Sequence, residues 1–334
     1  MFGRAWVAVA PQFELSGPKR YLTFDGAGLA VLLVKDAGQT VRAFVNSCRH
    51  RGTRLADGSG RCGQVRCPYH GWSWNLDGSV KHIPGAEGFG TLNPERLGLE
   101  PLRTESAWGF HWVSADPGAP PLREYLGALD AHVSPYRLQE FVPLRNDTIE
   151  LPCNWKAMYD NVFELYHLGS VHRRSIGPLV AGGRQDVEYV GDHMTMVARI
   201  ADHPLRRWLD RRTTRGGPYP AAEDGRLRRT FVFPNFLINT LPSSATVYSV
   251  WPDGPTRCRL RRIFMKRRGA RGLEWLRAHA TRLASQWIFA EDRPIMAAFQ
   301  QGANAAPQRR HLLHESEGTL AHFHGGIDRW VAGR

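Results

Sequence analysis

Short apolar stretches, each broken by glycine or proline, dominate the first third of the chain. Residues 1–35 alternate apolar and polar positions between these breaks, as the strands of an antiparallel domain do. Further strands are predicted at residues 41–45, 72–74, 76–80 and 107–113. The Pro/Gly-rich stretch 116–121 then interrupts the pattern. We therefore predict a small all-β domain over residues 1–125 and a second domain over residues 126–334.

The second domain mixes helix and strand periodicities. Residues from Trp155 to about His167 have helical spacing without an internal glycine or proline, and residues 230–241 and 245–251 have the pattern of strands. Residues 273–301 predict a long helix. The predicted apolar side of that helix carries Leu276, Leu283, Trp287, Ile288, Ile295 and Phe299. The basic segment 203–229 is predicted to be a loop, either a mobile cover over the site entrance or plain surface.

Two Cys-His pairs are the strongest chemical signal in the first domain. They read Cys48-Arg49-His50 and Cys67-Pro68-Tyr69-His70, with sixteen residues between His50 and Cys67. Two thiolates and two imidazoles suit a structural zinc ion, and they equally suit a [2Fe–2S] cluster in which histidines replace two cysteines on one iron. A glycine follows each pair closely, which suits tight loops whose N–H groups point at the cluster sulfurs.

With its flanking residues, this pattern resembles the Rieske signature C-x-H-R-G…C-x-Y-H-G-W. Residues 154–172, from Asn154-Trp155-Lys156 to His167 and His172, resemble the mononuclear iron segment of Rieske non-haem iron oxygenase α subunits. The resemblance spans nearly the whole chain. It implies an α+β fold, with an all-β Rieske domain followed by a helix-grip catalytic domain. In the latter, a curved antiparallel sheet surrounds a long C-terminal helix. The implied cofactors are a Rieske [2Fe–2S] cluster, held by the two Cys-His pairs, and a mononuclear Fe(II).

By this resemblance, His167 and His172 are iron ligands and a later carboxylate completes a 2-His-1-carboxylate triad, which leaves metal positions open. Asp292 is the predicted third ligand. It falls on the apolar side of the long helix, where a charge is costly unless it is paired or metal-bound, and its segment resembles the ligand segment of the family. Glu291 is the rival ligand, and a buried salt bridge without a metal is the alternative. Pro294 is expected to kink the helix beside the site.

Two further residues receive roles from the same resemblance. On a helix, Asn161, Glu164 and His167 would share one face. Glu164 is then expected to join His167 to His70 of another protomer, because a carboxylate can accept from two imidazole N–H groups at once. Asn161 is expected to lie near the iron as a polar neighbour.

Composition narrows the remaining choices. The net charge of +13 is uneven, with 28 Lys/Arg against 18 Asp/Glu in residues 146–334. No nucleic-acid module accompanies this charge, so we expect no nucleic-acid partner and interpret the arginine clusters as a solvated basic face or as a docking face for an acidic redox partner. The five cysteines predict no disulfide framework. Without an apolar run of membrane-spanning length, and without a signal peptide, we expect a cytoplasmic protein.

These features predict the terminal oxygenase of a multicomponent system. The glycines at 58, 60 and 63 lack the βαβ context of a dinucleotide site, so a separate NAD(P)H-dependent reductase is implied, with or without a ferredoxin. We expect a homotrimer with head-to-tail contacts, acting on O₂ and a small aromatic or heterocyclic substrate by hydroxylation or demethylation. The alternatives are a monooxygenase of quaternary amines or betaines, and a non-catalytic Rieske electron-transfer protein.

The histidines at 311, 314, 322 and 324 are interpreted as an ordinary tail, with metal binding as the alternative.

Overall fold

The computed structural model describes residues 1–214, 225–241, 244–306 and 310–333. The chain divides into two compact units. Residues 2–125 form the N-terminal unit, and residues 126–334 with Met1 form the C-terminal unit. Among the described residues, no helix is both long enough and apolar enough to cross a membrane.

The N-terminal unit is built almost entirely from short antiparallel strands. A seven-stranded sheet has the order β1-β10-β9-β4-β3-β2-β5, and a three-stranded sheet has the order β6-β7-β8. The strands are β1 Val7–Pro11, β2 Arg20–Gly26, β3 Leu29–Lys35, β4 Val41–Val45, β5 Ser59–Arg61, β6 Val65–Arg66, β7 Ser73–Trp74, β8 Val80–His82, β9 Pro101–Ala107 and β10 Phe110–Ser114. The single strand predicted over residues 107–113 was wrong, because Trp108 and Gly109 both adopt positive φ and form the turn of a β9–β10 hairpin.

The C-terminal unit is one seven-stranded antiparallel sheet with helices packed against it. Its order is β11-β17-β16-β15-β14-β13-β12. The strands are β11 Phe141–Leu151, β12 Val180–Val190, β13 His193–Ile200, β14 Arg226–Val232, β15 Phe236–Leu241, β16 Ser244–Pro252 and β17 Cys258–Arg267. The strand predicted over residues 230–241 is two strands, because the segment turns at residues 233–235.

Six α-helices are present among the described residues. They are α1 Leu122–Leu126, α2 Leu129–Val133, α3 Trp155–Phe163, α4 Pro204–Thr214, α5 Gly272–Ala305 and α6 Gly318–Val331. The long helix α5 packs against α3, β11 and β17. The predicted α+β class is therefore confirmed, with an all-β unit followed by an antiparallel sheet around a long helix.

The buried face of α5 differs from the predicted one. Its buried residues are Ala278, Phe289, Asp292, Met296 and Gln300, which recur at intervals of three, four and eleven residues. The predicted apolar side is mostly exposed on this chain, at Leu276, Leu283, Trp287, Ile295 and Phe299. Asp292 is thus buried, as predicted, whereas most of the large apolar residues predicted beside it are exposed. The helix continues through Pro294.

The segment 203–229 also differs from the predicted loop. Residues 204–214 form α4, and strand β14 begins at Arg226. Helix α4 is fixed by Asp210, which is buried and accepts from Arg206 at 2.7 Å and from Arg277 of α5. Residues 215–224 lie outside the described residues. The loop prediction was therefore wrong at both ends of the segment.

Candidate metal centres

Two matching loops present the Cys-His pairs in the N-terminal unit. In the first loop, Cys48 N–H donates to Thr53 O at 2.8 Å, and Gly52 N–H donates to Cys48 O at 2.9 Å. The second loop repeats both bonds, from Cys67 to Trp72 at 2.8 Å and from Gly71 to Cys67 at 3.2 Å. The two glycines have φ of 75° and 78°, a conformation that a Cβ disfavours. The glycine four residues after each cysteine therefore allows the tight turn that the sequence predicted.

The four side chains of these loops converge as a pair of thiols and a pair of imidazoles. Cys48 and Cys67 are buried, whereas His50 is half-buried and His70 is exposed. The two imidazole Nδ1 atoms lie 3.2 Å apart. Burial and the neighbouring Cys67 thiol raise the pKa of Cys48, while backbone N–H groups of His50 and Arg51 directed at its sulfur act to lower it. Donors aimed at a sulfur stabilise the thiolate that binds metal.

This pairing bears on the choice between zinc and a cluster. A zinc ion needs four ligand atoms around one point, at about 2.0–2.3 Å. Within the described parts of the chain, these four residues do not make up a group that could hold a single ion, and His167, His172 and Asp292 do. Two thiols in one place and two imidazoles in another fit a two-iron cluster with unlike ends.

The second centre starts where helix α3 ends. Asn154 begins α3 by accepting from Lys156 N–H at 3.1 Å, and its own N–H donates to Gln300 of α5 at 2.6 Å. The predicted extension of this helix to His167 was wrong. Glu164 already has extended backbone angles of φ −113° and ψ 166°. Asn161 and His167 are therefore brought together by a turn and not by one helix face.

The Glu164 carboxylate builds that turn. One of its oxygens accepts from the backbone N–H groups of Tyr166 and His167, the latter at 3.1 Å, and its other oxygen accepts from the Nδ1 of His167. A carboxylate that receives the first N–H groups of a helical turn acts as an N-terminal cap. The short 3₁₀ turn Tyr166–Gly169 that follows leads to His172.

The two histidines and the aspartate then meet in one place. His172 Nε2 lies 2.8 Å from Asp292 Oδ1, and His167 Nε2 lies 3.7 Å from the same oxygen. The potential ligand atoms of all three side chains lie within 4.8 Å of one another. His172 is 1% exposed. Its burial would lower the pKa of His172, but hydrogen bonds with Asp292 and Glu291 outweigh that effect and raise it. Such a group attracts a cation, which is the fit expected of a 2-His-1-carboxylate site.

Each of the two histidines has a carboxylate hydrogen-bonded to its Nδ1 atom. Glu164 accepts from His167, and Glu291 lies 2.6 Å from the Nδ1 of His172. Ser175 Oγ donates to the same Glu291 oxygen at 2.5 Å. Metal-binding histidines commonly donate their second N–H to a carboxylate, which fixes the tautomer and leaves Nε2 for the metal. Glu291, the rival ligand in the sequence, therefore faces the outer nitrogen of His172.

Asn161 touches the same group. Its Nδ2 donates to Asp292 Oδ1 at 3.3 Å, and its Oδ1 is buried with no partner in the part of the chain that the structure describes. An orphaned buried amide oxygen beside a carboxylate and two imidazoles is what a missing ion or bound molecule would satisfy. The residues present thus fit a mononuclear metal.

This group opens into a cavity of about 400 Å³ within the C-terminal unit. The apolar part of its wall includes Met158, Leu165, Leu168, Ile176, Leu179 and Ile288. Aromatic side chains of the wall come from Tyr248, Trp287 and Phe289. Two polar wall residues that sequence reasoning missed are Arg229 and Asn239. The alternating pattern of their strands indicated two faces but not which face borders a cavity.

The C-terminal histidines, for which metal binding was the alternative interpretation, have other partners. His324 pairs with Asp160 at 2.8 Å, and His314 stacks on Tyr166 with ring centres 4.8 Å apart. No metal-binding group includes the C-terminal histidines in the described part of the chain.

Comparison with known proteins agrees with both centres. The profile of the family described as Ring hydroxylating alpha subunit (catalytic domain) matches residues 138–333, and that of the Rieske [2Fe-2S] domain matches residues 5–93. In this family, the two domains bind a [2Fe–2S] cluster and a mononuclear iron.

Individual relatives resemble part of the chain. The carnitine monooxygenase oxygenase subunit of Escherichia coli (strain K12) is 34% identical over 180 residues, which cover 52% of this chain and 47% of that protein. The glycine betaine monooxygenase oxygenase subunit of Pseudomonas aeruginosa (strain UCBPP-PA14) is 30% identical over 173 residues, covering 52% and 40%. The matched stretch thus spans about half the length of these relatives or less.

A solved structure extends the likeness to the whole fold. A quaternary ammonium Rieske monooxygenase superposes with a TM-score of 0.82 at 20% identity, covering 99% of this chain and 90% of that one. With the catalytic-domain profile matching more than half of its length, the chain belongs to the ring-hydroxylating oxygenase α-subunit family and carries a Rieske domain ahead of its catalytic domain.

Proposed function

We propose that the chain is the terminal oxygenase of a multicomponent monooxygenase that hydroxylates or demethylates a small quaternary amine. The observation that carries the oxygenase assignment is the group of His167, His172 and Asp292 at a largely apolar cavity. A non-catalytic Rieske electron carrier, the alternative from the sequence, needs no such group. The relatives named above favour quaternary amines over the aromatic or heterocyclic substrates expected from the sequence, and Tyr248, Trp287 and Phe289 offer ring faces that attract a cationic head group.

Four residues would hold the cluster, namely Cys48, His50, Cys67 and His70, and His167, His172 and Asp292 would hold the iron. Bound there, the two groups would supply one-electron transfer and activation of O₂. The protein's own contribution is positional. Glu164 and Glu291 keep the histidine Nε2 atoms turned towards Asp292, and the leucine, isoleucine and methionine wall limits water around a bound substrate.

The partners belong to the same proposal. The chain would receive electrons from a separate NAD(P)H-dependent reductase, with or without a ferredoxin, and would assemble as a head-to-tail homotrimer. In that assembly Glu164 would link His167 to His70 of the neighbouring protomer. Its carboxylate is mostly buried and already accepts three hydrogen bonds, but two carboxylate oxygens can accept about four in all. One more acceptance by Glu164 would therefore complete the link.

A substrate screen tests the proposed function. The purified protein, supplied with a Rieske-oxygenase reductase and NADH, should consume O₂ and NADH when carnitine, γ-butyrobetaine or glycine betaine is added, and should release an oxidised product in step with NADH. Oxygen-electrode traces and mass spectrometry of the products measure this. Substrate-independent NADH consumption alone would contradict the proposal, and turnover of benzoate but of none of the amines would overturn the substrate class.

The carboxylate behind His172 gives a second test. Replacing Glu291 with alanine should weaken binding of Fe(II) or Co(II) to the metal-depleted protein by about 10–100-fold, since the ring of His172 loses the group that orients it. Glu291→Gln keeps an acceptor oxygen and should retain most of the affinity. Metal titration followed by the Co(II) absorption spectrum measures both. A complete loss of metal in Glu291→Ala would instead make Glu291 a ligand, and unchanged affinity would deny it any role.

A further inference from the structure

A buried arginine stands in the wall of the cavity. Arg229 lies on β14, is 6% exposed and borders the cavity with part of its side chain. Burial lowers the pKa of Arg229 to about 10, which leaves the guanidinium charged at neutral pH. A buried charge is costly unless an opposite charge and hydrogen bonds compensate it.

The hydrogen bonds of Arg229 do not supply that opposite charge. Nη1 donates to Val162 O at 2.5 Å, and Nη2 donates to the side-chain oxygen of Gln185. Both acceptors are neutral. The third donor, Nε–H, is buried and finds no acceptor among the residues that the structure describes.

The nearest negative charge is already engaged. In the described part of the chain, the carboxylate whose charge acts on Arg229 is that of Glu164. Its oxygens accept from His167 and from the turn that follows α3. Asp292, the other carboxylate of the cavity wall, is held by His172 and Asn161. The positive charge of Arg229 therefore remains without a committed counterion.

A second group with an unsatisfied polar atom lies directly opposite Arg229 on the neighbouring strand. Asn239 of β15 is the register partner of Arg229, so their Cβ atoms lie about 4.5–5.5 Å apart on the same face. Asn239 also borders the cavity, and its Oδ1 is buried with no hydrogen-bond partner within the described ranges of the chain. An amide can present either its N–H or its carbonyl to a ligand by turning about its terminal bond. In the described part of the chain, one cavity wall thus offers a guanidinium with one unused donor and an amide with one unused oxygen.

We propose that Arg229 and Asn239 form a subsite for a carboxylate group of the substrate. A carboxylate there would supply the missing charge and accept from both side chains, since charge-assisted bonds to guanidinium are among the strongest. The inference deepens the proposed function and rests on it. Among quaternary amines, it selects those with a carboxylate, such as glycine betaine, over those with a neutral hydroxyl, such as choline.

Arg229 also has a structural task. It donates to Val162 O, one of the last carbonyls of α3. The side chains of Gln185 and Thr319 donate to the next carbonyl, Phe163 O, at 2.7 Å and 3.0 Å, so the end of the helix depends on all three residues. Arg229→Met tests the subsite directly but can destabilise the end of that helix. Asn239→Asp avoids this problem, because it leaves Arg229 in place and gives it an internal counterion. That variant should fold at least as well as the parent and should exclude a substrate carboxylate.

Ligand binding to the oxidised holoenzyme tests the inference. Calorimetric titration should show glycine betaine binding at least about 30-fold more tightly than choline, because loss of one partner of a buried charge pair costs at least that much. In Asn239→Asp and Arg229→Met, the preference should fall to about threefold or less, with choline affinity little changed. Equal binding of the two ligands by the parent, or an undiminished preference in a folded Asn239→Asp variant, would overturn the inference.

A third ligand separates this inference from the proposed function. Benzoate carries a carboxylate but no ammonium group. If benzoate binds in an Arg229-dependent manner while glycine betaine and carnitine do not bind, the carboxylate subsite stands and the quaternary-amine assignment fails. If glycine betaine and choline bind alike and both are oxidised, the assignment stands and the carboxylate subsite fails.

Discussion

Replacing His172 with alanine should remove the mononuclear iron and all substrate turnover while leaving the cluster intact. His172 is buried, its Nε2 lies 2.8 Å from Asp292, and its Nδ1 is fixed by Glu291. Deleting the imidazole leaves one histidine and one carboxylate, which are too few to retain the metal against solvent. The four predicted cluster ligands belong to the other compact unit, so they should be unaffected.

Metal analysis and spectroscopy measure this result. Iron per chain should fall from about three to about two, with acid-labile sulfide and the visible spectrum of the cluster unchanged. His311→Ala is the matched control, because His311 is exposed and lies outside the metal-binding group. Retention of turnover by His172→Ala would refute the ligand set. Loss of iron in His311→Ala would show that the C-terminal histidines bind metal after all.

The sequence predicted the local architecture of both centres because short-range spacing defines it. Glycine four residues after each cysteine, at Gly52 and Gly71, is needed for positive φ, and this requirement is visible in the sequence. The spacing of His167 and His172 is likewise local. The helical periodicity of α3 was predicted correctly. Helix propensity could not show that the helix ends before Glu164 and that this residue caps the next turn. The end of the helix depends on hydrogen bonds between the carbonyls of residues 162–163 and residues distant in sequence.

Helix α5 shows a different limit. Its sequence carries two apolar stripes, and periodicity identifies stripes without showing which one faces the sheet. The larger residues, including Leu283 and Trp287, were assigned to the core, yet they are exposed on this chain while Phe289 and Met296 are buried. Asp292 was still singled out as a candidate ligand, because a carboxylate in any apolar stripe requires a partner. The argument from charge selected a residue that is buried, whereas the argument from size selected residues that are mostly exposed.

The residues that line the cavity could not be predicted from the sequence, for a third reason. Arg229 looked like one member of a surface cluster with Arg228. Its burial follows from the pairing of β14 with β13 and β15, which no local pattern encodes. Contacts such as that of Arg229 with Val162, 67 residues apart, arise only from the folded sheet. Charged residues next to each other in sequence point to opposite faces of a strand, so one of such a pair can be buried.

Replacing Glu164 with glutamine should slow electron delivery to the mononuclear site about 10–100-fold while both metal centres remain loaded. Glutamine keeps one acceptor oxygen, which can still cap the N–H groups of Tyr166 and His167. It cannot accept from His167 Nδ1 and from a second imidazole at once, because its other terminal atom is a donor. The linking function should therefore fail before the fold does. Stopped-flow oxidation of the reduced cluster, in the presence of O₂ and substrate, measures the rate.

The matched control for this variant is Glu315→Gln. It removes an exposed carboxylate from the 3₁₀ turn Glu315–Glu317, which precedes α6. It should leave the rate unchanged, because Glu315 is exposed to solvent in a separate turn. Iron and sulfide contents of both variants must match the parent, so that any slowing reports on transfer and not on loading. Single-turnover kinetics that are identical in Glu164→Gln and the parent would mean that the carboxylate only caps the turn, and electrons would then have to cross between protomers without it.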